Sequence, residues 1–117
     1  MPAPDLARPA RVEAKAAVHK VTTAASNVTL LTPLVNQIYR LRSVAIANPT
    51  GAAVTANLSI VRSSVNYWLA PTVTVPIKAT FSAMNSDEAA YMEFGDTLVV
   101  QANAVDVTFH VSYEVVT

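Results

Sequence analysis

The chain has 117 residues, enough for one domain; 52% are hydrophobic and only 14% charged, against about 25% in ordinary soluble domains. Formal net charge is zero and there is no Cys, which excludes a disulfide framework and a thiolate site. A domain of this size buries roughly two thirds of its unfolded surface, so the apolar surplus, much of it Ala and Val, favours burial against other subunits.

Residues 1–26 read as an N-terminal arm and residues 27–117 as a β domain. Pro2, Pro4 and Pro9 forbid regular structure at the extreme N-terminus. Ala14, Ala17, Val18 and Val21 fall at helical spacing, but a stripe of alanines is a poor core. A short helix and an extended arm are both open. Prolines and charges stand where a signal peptide needs an apolar core, so no export signal is expected. Val21–Tyr39 and Ser43–Val61 lack charge but carry Asn, Thr and Pro inside, so neither is expected to span a membrane. The sequons at Asn27 and Asn57 matter only in a secreted chain. Charge is segregated. Arg8, Arg11, Lys15, Lys20, Arg40 and Arg42 face only Asp5 and Glu13 in the first 42 residues, whereas acids dominate the remainder. The asymmetry suits head-to-tail docking or a basic arm on an acidic neighbour; chance segregation in a short chain is the equal alternative.

From Asn27 the strand signal takes over. Val28–Thr32 is a short run stopped by Pro33. In Gln37–Asn48, Tyr39 and Leu41 share one parity and Val44 and Ile46 the other, which predicts a bulge near Arg42-Ser43. Asn48-Pro49-Thr50-Gly51 reads as a turn into the alternating run Ala53–Arg62, hence a hairpin. Ser63-Ser64-Val65-Asn66 turns again into Tyr67-Trp68-Leu69-Ala70. Pro71 and Pro76 bracket a strand that belongs at a sheet edge. Ile77–Met84 could extend it, and Asn85–Ala90 is a polar loop or one helical turn. Tyr91–Phe94, Thr97–Ala102 and Asp106–Val116 complete the set, the last with Val107, Phe109, Val111, Tyr113 and Val115 on one face. Seven or eight short strands without a long helix imply an all-β antiparallel sandwich or jelly roll.

Nothing along these strands is equipped for catalysis. His19 and His110 lie about ninety residues apart and no Cys can help them ligate a metal. Asp87, Glu88, Glu93 and Asp96 lack the spacing and glycines of a calcium loop. Gly51 and Gly95 are the only glycines, too few for a nucleophile elbow or a phosphate loop. No cofactor and no metal are expected, and the chain is read as not an enzyme. Tyr67-Trp68 is the one aromatic pair. It is either a platform for a sugar ring or partner surface, or, the favoured reading, Trp68 in the core with Tyr67 over a strand edge. The basic arm holds no aromatics, so direct contact with nucleic acid is not preferred.

From Ile38 to Glu114 the order of features resembles small β-sandwich virion proteins of tailed bacteriophages. The resemblance is carried by Tyr39 entering a strand, Val44-Ala45-Ile46-Ala47-Asn48 with its turn, and Ala53–Arg62. Tyr67-Trp68-Leu69-Ala70-Pro71, Val75-Pro76-Ile77, Gly95-Asp96-Thr97-Leu98 and the closing strand continue it. Where such proteins often have a Val-Pro-Ala-Gly turn after the first Tyr, this chain has Arg40-Leu41-Arg42. The resemblance implies a non-enzymatic virion protein, made in the host cytoplasm, that decorates or cements the capsid through its arm and subunit contacts. Its expected partners are a major capsid protein or neck and tail proteins, and copies of itself as a trimer or higher homo-oligomer. The expected interface residues are Arg8, Arg11, Lys15, Lys20, Tyr67 and Trp68. A neck or tail accessory, a fibre-attachment protein, or a receptor- or carbohydrate-binding module using Tyr67 and Trp68 is the alternative.

Overall fold

The structure, a computed structural model, describes residues 11–84 and 90–117. They form nine strands: β1 (Val12–Lys20), β2 (Val28–Leu31), β3 (Ile38–Ala47), β4 (Val54–Arg62), β5 (Val65–Val75), β6 (Thr80–Met84), β7 (Ala90–Glu93), β8 (Asp96–Ala102) and β9 (Thr108–Val116). Two antiparallel sheets pack face to face. One runs β1-β9-β3-β6, with β7 also on β3; the other runs β2-β8-β4-β5. β6 and β7 continue one another along the same edge of β3, which pairs with β6 from Val44 to Ala47 and with β7 from Ile38 to Leu41. Counted as one interrupted strand, they leave a long hairpin rolled on itself: first strand beside last, second beside second-last, and so inward to the β4–β5 turn. That is jelly-roll order.

Alternation builds the core. The inward residues of β3, β4, β8 and β9 bury Leu41, Val44, Ile46, Leu58, Leu98, Val100, Phe109 and Val111 almost completely. The parity switch in β3 is a bulge: register with β9 shifts between Leu41 and Ser43, so both halves of the strand keep their apolar residues inward. Proline confines β5 to the edge of its sheet, as Pro71 requires.

Three expectations are corrected. β3 and β4 are not a hairpin, because they lie in different sheets and the segment between them crosses the end of the sandwich. Asn48 makes that crossing. It is buried, its Nδ2 donates to the carbonyls of Ala52, Val75 and Pro76, and its Oδ1 accepts from the Thr50 N–H and hydroxyl. The hairpin is instead β4–β5, turned by Ser63 and Ser64 at φ 52° and 64°. Second, of the two readings left open for this segment the helix falls and the extended one stands: Val12–Lys20 is a strand paired residue by residue with β9. The helical spacing of its alanines lost because the strand completes the β9 edge and lays Ala17 against the core. Third, Ile77–Met84 does not extend β5; Thr80–Met84 joins the opposite sheet. The polar segment expected at Asn85–Ala90 lies, up to residue 89, outside the described residues.

Candidate functional site

One end of the sandwich gathers the β2–β3 loop, the β4–β5 hairpin and the β7–β8 turn. The pairs Arg62–Val65, Arg62–Asp96 and Ile38–Glu93 mark this end in register. Exposed large apolar side chains concentrate here: Leu34 and Val35 in the first loop, Val65 and Tyr67 beside the hairpin, Phe94 in the turn, with Tyr91 adjacent. Phe94 is 65% exposed and Leu34 63%. A depression of about 260 Å³, lined by Ile38, Arg62, Tyr91, Met92 and Glu93, opens beside Tyr91. Val65 and Tyr67 pair with Arg62 and Ile60, so they carry the core-facing parity beyond the closed part of the core.

A charged clasp ties the β4–β5 hairpin to the β7–β8 turn. Arg62 donates from Nε to Asp96 Oδ1 at 2.7 Å and from a terminal nitrogen to Oδ2 at 2.6 Å, a bidentate fork, and reaches Glu93 at 3.9 Å. Asp96 Oδ2 also accepts the Glu93 N–H at 3.0 Å. Asp96 is buried and acidic, held below the ordinary carboxylate range by the Arg62 hydrogen bonds against the opposing effect of burial. The same contact, with Glu93 and Tyr67 nearby, raises the Arg62 guanidinium. Glu93 and Asp96, two of the four carboxylates weighed as a calcium loop, are therefore both turned to one arginine.

The outer face of the β2-β8-β4-β5 sheet carries a second feature. Trp68, Ser59 and Val99 form one row across β5, β4 and β8. Trp68 does not fill the core; it is 53% exposed, because its pairing with Ser59 fixes it on the solvent parity. Amide side chains surround it. Asn57 Nδ2 donates to Gln101 Oε1 at 2.9 Å, Gln101 Nε2 to the Ala25 carbonyl, and Ser59 Oγ to Asn66 Oδ1. With Asn27 and Val99 they line a depression of about 70 Å³. Tyr67, the neighbouring residue, points to the opposite side and belongs to the loop end.

The basic residues expected at the interface do not join the aromatic pair. β1 lies at one lateral side of the sandwich next to β2, whereas β5 lies at the other beside β6. Arg8 lies outside the described residues. Arg11 pairs weakly with Glu13 at 3.7 Å and Lys20 with Asp106 at 3.4 Å, while Lys15 has no ion pair among the described residues. Arg40 and Arg42 share Glu114. Much of the charge segregation along the sequence is thus neutralised within the chain. Among the described residues no three His, Asp or Glu side chains converge as metal ligands would.

Leu34, Val35 and Phe94 escaped the sequence reading. Their signal was position: apolar residues inside a turn or after Pro33 have no strand parity to carry them inward. No family model, curated protein or solved structure matches the chain.

Proposed function

We propose that the chain is a non-enzymatic structural protein of a tailed-phage virion, attached to other virion proteins through the apolar loop end of its sandwich. The observation that carries this reading is the gathering of Leu34, Val35, Val65, Tyr67 and Phe94 at one end, exposed to solvent, with the Arg62–Asp96 clasp tying the hairpin and turn that bear the last three. Exposed apolar side chains gathered at one end of a soluble domain suit an interaction site, and aromatics dominate the energy of such contacts. Arg11, to which residues 1–10 are joined, stands at the same end, next to Thr117. The phage assignment itself rests on the resemblance of Ile38 to Glu114. Jelly rolls serve capsids, lectins and cupins alike, so the fold supports attachment only by analogy.

The test is the triple variant V65S/Y67S/F94S, produced in place of the wild-type protein. It should fold with near-normal stability, since all three side chains are exposed, yet be absent from purified particles by quantitative mass spectrometry. Incorporation at the wild-type level would defeat the reading.

One observation favours a second reading, a carbohydrate-binding module: Trp68 is half exposed and ringed by Asn57, Asn66 and Gln101. An aromatic face beside planar amides suits a pyranose ring, which offers apolar C–H edges and hydroxyls together. Trp68 fluorescence should then shift on titration with oligosaccharides, and Trp68→Ala should lose binding on a glycan array. A silent array for the wild-type protein would dismiss the module.

A further inference from the structure

β1 closes one side of the five-stranded sheet, and among the described residues only one of its two backbone edges is bonded. Arg11 and Thr117 exchange N–H···O bonds, and the Val21 N–H donates to the Val107 carbonyl. Antiparallel pairing alternates, so the odd-numbered residues between them face β9. The N–H and C=O groups of Val12, Ala14, Ala16, Val18 and Lys20 therefore point away from the sheet, and no other described strand pairs with them. Such a row is a template for another strand.

The other sheet edges are blunted. β2 has four residues and an irregular register. β5 contains Pro71 and two register shifts. β6 and β7 are separate short segments along one edge. β1 has nine residues, no proline and an unbroken register with β9.

We propose that β1 pairs antiparallel with β1 of a second copy of this chain, about a two-fold axis through Ala16, joining two five-stranded sheets into one. A closed two-fold contact matches a surface to itself, and charge selects this register. With Ala16 on the axis all nine residues are paired, and the even-numbered ones meet as hydrogen-bonded pairs. Glu13 of each copy then stands opposite His19 of the other, in a non-hydrogen-bonded pair, where side chains approach most closely. His19 Nε2 is buried and has no hydrogen-bond partner among the described residues, and the facing carboxylate supplies one. Lys15 meets Ala17 and Ala14 meets Val18. Placing Lys15 on the axis sets two lysines against each other; placing Ala17 there sets Lys15 against His19. An axis through Ala14 joins Glu13 to Lys15 but engages only residues 12–16. Pairing also covers part of the exposed stripe formed by Val12 and Val18, 50% and 63% exposed. None of the loop-end residues takes part, so the dimer stands apart from the virion reading.

Analytical ultracentrifugation of the intact chain tests this. The wild-type protein should sediment as a reversible dimer of the 12.4 kDa chain. Ala16→Pro removes an outward N–H but no bond to β9, so it should be monomeric with an unchanged circular dichroism spectrum. Glu13→Lys should weaken the dimer by about tenfold or more, and E13K/H19E should restore it. A wild-type protein monomeric throughout, a trimer or larger ring, or a dimer indifferent to E13K overturns the proposal, as does a charge swap that restores nothing. Should Ala16→Pro fail to fold, the Glu13 and His19 variants decide alone.

Discussion

Asp96 and Arg62 show how a single ion pair fixes a loop surface. The carboxylate is buried, forked onto a half-exposed guanidinium and further bonded by the Glu93 N–H, so its removal strands several donors. Asp96→Asn should cost about 2–3 kcal/mol, the usual loss for hydrogen bonds to a charged group, read from urea unfolding. Because the folded state depresses the Asp96 pKa, its contribution is complete above the ordinary carboxylate range. It is lost as pH falls through the lowered folded value. Wild-type stability should fall along that limb, and the fall should be shallower in Asp96→Asn. The sequence sets Asp96 directly after Gly95, which adopts φ 99°. It did not place Arg62 opposite, because a pair 34 residues apart is set by the β4–β8 register and not by local pattern. Trp68 failed for the same reason. Its size argued for burial, but its parity is decided by the row it shares with Ser59.

Among the elements, those with clean alternation were legible. β9 could be assigned inward and outward residue by residue from its valines and aromatics, and the β3 bulge from the exchange of parity at Arg42. Which strands pair was not legible, since β3 and β4 are consecutive alternating runs with a turn between them and still lie in opposite sheets. Asn48 explains the difference: its side chain binds carbonyls on both sides of the crossing, a role that no spacing rule announces. The true hairpin offers a direct check. Ser63 and Ser64 both sit at positive φ, a conformation that Asn-Gly adopts with less strain in a two-residue turn. The variant S63N/S64G should therefore gain about 1 kcal/mol, or roughly 4–8 °C in Tm by calorimetry. No gain would mean that the two serines are not strained there.

At the scale of the molecule, the apolar surplus divides into a core shared by both sheets, a crowded loop end and an edge strand. Composition foretold that surface would be left over, though not where, because exposure at a loop depends on which turns share an end. The segment read as an arm is in part the partner of β9. Deleting residues 2–20 should accordingly lower Tm by several degrees in a thermal melt, since it uncovers the β9 edge around Val111 and Phe109. A truncation that melts like the full chain would show that β1 adds nothing to the sandwich. Arg8→Glu leaves the strand intact and is the cleaner probe of the residues before it.

The rolled hairpin also orders events in time. Its outermost pair joins the first strand of the chain to the last, and the Arg11–Thr117 exchange closes the circuit. β9 separates β1 from β3, so a nascent chain holding everything up to Asp106 has half a sheet whose two parts cannot meet. Contacts this distant along the sequence slow folding, and until β9 leaves the ribosome the unpaired strands are open to strangers.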